Sequence, residues 1–159
     1  MSTDKTWRTS STSSEQTEQL AEQIGRKLKG GEIIELASDL GGGKTTFVRG
    51  LARGFGSGDR VASPTFTISR VYTSGPTSMY HFDFYRLQEA GLVAEELADV
   101  IGDRHVITVV EWGGIVSNVL PEERMTIHIA RSASSDDARE LTFTYPEALA
   151  YLMEDIHTW

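Results

Sequence analysis

The stretch Ser38-Asp39-Leu40-Gly41-Gly42-Gly43-Lys44-Thr45-Thr46 constrains this chain more than any other. The apolar run Ile33-Ile34-Glu35-Leu36-Ala37 precedes it, and Phe47-Val48-Arg49-Gly50-Leu51-Ala52 follows with the spacing of an amphipathic helix. Strand, glycine-rich turn, Lys-Thr and helix, in that order, form the layout of a phosphate-binding P-loop. Consecutive glycines let successive N–H groups turn inward as a nest, since no Cβ blocks conformations with positive φ. The helix adds the positive end of its dipole and its own first-turn amides. Lys44 would set an ammonium on the β- and γ-phosphates of a nucleotide, and the Thr45 hydroxyl would ligate Mg²⁺. The backbone of Asp39, Leu40, Gly41, Gly42 and Gly43, continued by Thr46, completes the expected cradle. One position departs from the eight-residue signature: Ser38 stands where it has glycine.

A chain of 159 residues is most economically one domain, able to bury roughly 70% of the surface its unfolded form exposes. Met1 to Thr12 is polar and Ser/Thr-rich, so residues 1–12 read as a mobile tail and 13–159 as the domain. The chain has no cysteine, which excludes disulfides, thiolate-bound metals and a cysteine nucleophile. His81, His105, His128 and His157 show no metal-ligand spacing. A net charge of −8 argues against wide contact with a phosphate backbone, so any nucleic acid would be held by a partner. There is no apolar-centred leader in Met1–Ser14 and no run of 18 apolar residues, so the expectation is a soluble, cytoplasmic protein without a membrane span.

Taken in order, Ser13-Ser14-Glu15-Gln16 has capping-box spacing, and Leu20, Ile24 and Leu28 mark one stripe of a helix over about 15–29, closed by Gly30-Gly31. A strand over 32–37 delivers the chain to the loop. The next helix buries Phe47, Val48, Leu51 and Phe55, with Gly54, Gly56 and Gly58 ending it. Pro64 makes 63–66 a shaped loop. A turn at 74–77 pairs strands near 69–73 and 78–84, and an acidic helix covers 92–101. The β-branched run 105–110 suits a doubly covered parallel strand. Strands near 125–130 and 140–145 follow, and Pro146 opens a last helix. The expected fold is α/β: a P-loop NTPase-like three-layer sandwich, its mixed, mainly parallel sheet carrying antiparallel strands toward the edge and helices on both faces.

Two acids could join Thr45 at a metal. Glu111 ends the run 105–110, and Asp83 lies late in the strand that begins near 78. Ligands gather at the carboxyl ends of strands in open α/β sheets, so both could reach the phosphates, and spacing does not rank them. Thr65, on the shaped loop, fits either a γ-phosphate sensor or a simple turn hydroxyl. Trp112 fits either a core anchor or a ring beside the nucleotide.

Together these residues resemble the TsaE family (also called YjeE), small P-loop ATPases of bacterial tRNA threonylcarbamoyladenosine modification. The resemblance runs from about Ser13 to Ile129. It rests on Asp-Leu-Gly-Gly-Gly-Lys-Thr-Thr-Phe-Val-Arg-Gly at 39–50, Ser-Pro-Thr-Phe at 63–66, His-Phe-Asp-Phe-Tyr-Arg-Leu at 81–87 and Glu-Trp at 111–112. The resemblance implies ATP and Mg²⁺ as cofactors. It implies Lys44 as the phosphate-binding lysine, Thr45 as a metal ligand, Asp83 as an essential aspartate and Glu111 as a metal-associated acid. It moves Trp112 toward function, makes 63–66 the first switch, and places Ser14 and Thr17 near the adenine and Arg139 near the nucleotide. Ser38 and Gly42 depart from the family's usual Gly-Asp-Leu-Gly-Ala-Gly-Lys-Thr; the extra glycine adds loop entropy and the serine Cβ must fit where the strand turns. The resemblance further implies that ATP binding and slow hydrolysis act on a partner assembly of TsaB with TsaD, which transfers threonylcarbamoyl and meets the tRNA.

Two other functions compete with this one. One is a nucleotide-gated interaction module in which cleavage is dispensable. The other is a small-molecule kinase, which would need an arginine-rich lid that the sequence does not display.

Overall fold

The computed structural model describes residues 4–38, 43–62, 69–84, 91–112, 114 and 118–159, with backbone alone at 92 and 93. Its elements are β1 (Lys5–Ser11), α1 (Ser14–Gly25), β2 (Ile33–Ala37), α2 (Lys44–Phe55), β3 (Ser69–Ser74), β4 (Thr77–Asp83), α3 (Gly91–Val100), β5 (Val106–Glu111), β6 (Met125–Arg131) and β7 (Arg139–Tyr145), followed by a 3-10 helix, Glu147–Met153. The strands form one sheet in the order β1-β7-β6-β2-β5-β4-β3. Its centre, β6-β2-β5-β4, is parallel, and the pairings toward both edges are antiparallel. This is the mixed α/β sheet expected from the residues. β5 is buried at every position, as a strand covered on both faces must be.

Side-chain alternation divides the core. Ile34 and Leu36 of β2, Ile107 and Val109 of β5 and Met79 of β4 face α1, α2 and the 3-10 helix; Ile33, Phe82 and Val110 face the side of α3 and its Leu97. α1 and α2 cross at small residues. A Cβ on Gly50 would stand 2.3 Å from the Glu18 carbonyl oxygen, one on Gly54 2.1 Å from that of Glu22, and one on Gly25 2.3 Å from that of Leu51. Backbone therefore meets backbone, and the helix carrying Lys44 is held tightly against α1. Among the described residues, no helix is long and apolar enough to cross a membrane.

Four expectations change. Residues 5–11 are not a tail but an edge strand on β7: Trp7 packs on Phe143 with ring centroids 5.4 Å apart, and the threonines and tryptophan suit a pleated surface. The first helix stops at Gly25 instead of near 29, because Lys27 and Leu28 turn to i→i−3 bonds with Ile24 and Gly25. Gly30 serves a close approach instead, since its Cβ would fall 2.0 Å from the Arg104 carbonyl oxygen. Gly54 lies inside α2, which runs on to Phe55. The helix after Pro146 is 3-10, opened by Leu149 N–H donating to the Pro146 carbonyl.

The capping box forms with a shift. The Gln16 amide N–H donates to Ser13 Oγ at 3.2 Å, while Gln16 Oε1 accepts from Thr12 N–H at 2.8 Å.

Candidate functional site

β2, β5 and β4 end side by side: Leu36 pairs with Glu111, and Glu111 with Asp83. The chain crosses from β5 past β2 to β6, so the carboxyl end of β2 is a switch point of the kind where α/β sheets take ligands. Gly43 has φ of +106°, a left-handed conformation that a Cβ would strain. α2 then begins at Lys44 with no side chain capping it. The first-turn amides of a helix lack intrahelical acceptors, and here an anion would satisfy them.

Lys44 is buried, with 7% of its surface exposed. Its Nζ donates to Ser38 Oγ at 3.0 Å and to the Ser38 carbonyl at 3.4 Å, and lies 4.9 Å from the Trp112 ring centroid. Ser38, the departure from the loop signature, is thus a partner of the lysine, whose ammonium donates to its hydroxyl. Trp112 takes φ of +60°, rare for a bulky residue; it packs against the cluster of Phe82, Val110 and Leu97, as a core anchor would, and presents its ring to Lys44.

Glu111 and Asp83 share the face that α2 covers, because each lies two residues along from a side chain of that cluster or its neighbour (Val109 and His81). Asp83 is half-buried. Glu111 is 2% exposed, and its Oε2 lies 2.5 Å from His81 Nε2. His81 Nδ1 lies 3.2 Å from the Tyr72 hydroxyl, which is 3.0 Å from the Ala62 carbonyl. Burial pushes the Tyr72 phenol above its ordinary range, so it remains a donor. Pattern reading places His81 only on a strand face and reveals neither its partnership with Glu111 nor the part of Tyr72. The period-two spacing of His81 and Asp83 is the available signal.

Ser14, Thr17, Gly43, Thr46 and Arg139 come together around a cleft of about 30 Å³, with Asp137 as a sixth lining residue that the motifs do not mark. Thr17 is buried, its hydroxyl 2.7 Å from that of Ser11, while Ser14 is exposed. Arg139 Nη1 donates to the carbonyls of Asp136 and Ala138, and its Nε would be 3.4 Å from a Cβ at Gly43. The guanidinium therefore lies over the start of α2. Asp137 sits two residues before Arg139 in a loop that polarity alone marks as a connection. Asp39, Leu40, Gly41, Gly42 and Thr65 lie outside the described residues.

Thr45, Asp83 and Glu111 offer only oxygen donors. Among the described residues no three His, Asp or Glu side chains are grouped to hold a metal. That donor set suits Mg²⁺, which takes one or two protein oxygens, phosphate oxygens and water.

A family model described as threonylcarbamoyl adenosine biosynthesis protein TsaE matches residues 11–141. The tRNA threonylcarbamoyladenosine biosynthesis protein TsaE of Bacillus subtilis (strain 168) is 40% identical over 139 residues, 87% of this chain and 84% of that one. The protein of the same name from Treponema pallidum (strain Nichols) is 38% identical over 136 residues, 83% and 96% of the two chains. The crystal structure of Bacillus subtilis YdiB matches with a TM-score of 0.72 at 34% identity, covering 98% of this chain and 95% of that one.

Proposed function

The chain belongs to the TsaE family, and from that premise we propose that it is an ATP-binding, slowly hydrolysing accessory factor of tRNA threonylcarbamoyladenosine biosynthesis. The observation that carries this reading is the buried Lys44 ammonium at the uncapped start of α2, beside the strand ends that bear Asp83 and Glu111. A buried cation held by a hydroxyl, a carbonyl and a ring face is ready to exchange those partners for phosphate oxygens, a stronger charge-assisted pairing. Mg²⁺, when bound, supplies positive charge to the phosphates. Thr45 and one of the two carboxylates hold it, and the other carboxylate orients water. Ser14, Thr17, Thr46 and Arg139 take the nucleoside end, which requires Arg139 to swing from a cleft with room for about one water molecule.

Family resemblance supplies the partners, TsaB and TsaD. A net charge of −8 accords with tRNA being met through them and not directly. A binding module that gates docking without needing cleavage is the second reading, and the engagement of Glu111 by His81 favours it, since a carboxylate so held is less available as a base. Modification assays with purified partners separate the two. Under the first reading, ATP supports many turnovers and a non-hydrolysable analogue supports one. Many turnovers with the analogue would overturn it.

A further inference from the structure

The line Ala62–Tyr72–His81–Glu111 buries three polar side chains where apolar ones would pack without cost. Tyr72 and Glu111 are each 2% exposed and His81 is fully buried. Such networks are expensive unless each member is satisfied, and they fix geometry when it is. Oε2 of Glu111 is bound to His81. The ring in turn is set by Tyr72, which reaches it from β3 and touches the Ala62 carbonyl beyond α2. The bond to His81 restrains the last torsion of the carboxylate.

We propose that His81, held by Tyr72, is the positioning residue that presents the Glu111 carboxylate to a Mg²⁺–nucleotide. This rests on the reading of Glu111 as an acid of the site. Outer partners that orient a ligating group typically contribute about 10–100-fold to metal affinity. The loss should therefore appear in the metal-dependent part of binding and not in the phosphate-binding part, which Lys44 and the helix start provide.

The test is calorimetric titration of the full chain with a non-hydrolysable ATP analogue, with and without Mg²⁺. His81→Leu should cut the affinity gained from Mg²⁺ by about tenfold or more while leaving the Mg²⁺-free affinity intact. His81→Gln, which keeps a donor near Nε2, should restore most of the gain, and Tyr72→Phe should lose part of it. A full gain in His81→Leu, or equal losses with and without Mg²⁺, would overturn the proposal. If Glu111→Gln keeps the full gain, the reading of Glu111 fails; if Glu111→Gln loses it and His81→Leu does not, this inference alone fails. Should His81→Leu not fold, Tyr72→Phe decides, because it removes one oxygen from an otherwise unchanged ring: an undiminished gain there refutes the positioning role.

Discussion

Gly50→Ala tests the architecture that aims α2 at the site. In an exposed helix interior this change stabilises by about 0.8–1.0 kcal/mol, since glycine is the poorer helix former. Gly50 is different because its Cβ would stand 2.3 Å from the Glu18 carbonyl oxygen and 2.7 Å from Ala21 Cβ. Ordinary contact begins near 3.4 Å, so α1 and α2 must part by about 1 Å. The obstacle is backbone, which has no rotamer to escape into. Overpacking of a core costs about 1–3 kcal/mol, and a rigid clash belongs at the upper end. After subtracting the propensity gain, the net loss is about 2 kcal/mol. At about 2–4 °C per kcal/mol for a chain of this size, the melting temperature should fall by about 4–8 °C. Gly58→Ala is the control: nothing lies within 4 Å of its Cβ, and its effect should stay within about 0.5 kcal/mol. Thermal unfolding followed by circular dichroism measures both. A Gly50→Ala protein as stable as the parent would refute the close crossing of α1 and α2.

Lys44→Ala should weaken MgATP binding by more than about tenfold, 1.4 kcal/mol, since bonds to charged groups contribute about 1.5–3 kcal/mol; unchanged affinity in calorimetry would place the nucleotide elsewhere. Ser13→Ala removes the acceptor for Gln16 N–H and should cost about 1 kcal/mol, a fall of about 2–4 °C in melting temperature. Tyr151 donates to buried Glu32, and burial, then that bond, push its phenol well above the ordinary range. Because the folded state favours the protonated phenol, its contribution is complete below about pH 10 and is lost as pH rises beyond it. Tyr151→Phe should therefore cost about 1 kcal/mol at neutral pH, less than a fully buried charge-assisted bond because the ring is half-exposed and Lys29 and Gly30 amides still bind Glu32. The gap between parent and variant should narrow in melts above about pH 10; a gap constant to about pH 11.5 would contradict the assignment.

Local chemistry wrote much of this protein into its residues. The Lys-Thr after a glycine run, the alternation in 79–84, the β-branched run of β5 and the Ser13 box each act within a few residues, so periodicity and composition suffice to read them. The family, too, is legible, because its motifs are contiguous. Partnerships between distant segments are not. Residues 5–11 carry the polarity of a tail, yet the free edge of β7 turns them into a strand by supplying backbone partners about 130 residues away in sequence. Gly54 has the look of a helix end, and only the proximity of Glu22 shows that it is there for want of a Cβ. His81 and Glu111 lie on different strands, and the β4–β5 register brings them together. Most of the elements and the family were therefore written in the residues, because the signals that mark them are local. Folding was needed to bring Trp112 over Lys44 and His81 onto Glu111, because contacts between side chains of distant segments depend on strand pairing and helix packing that no single segment encodes.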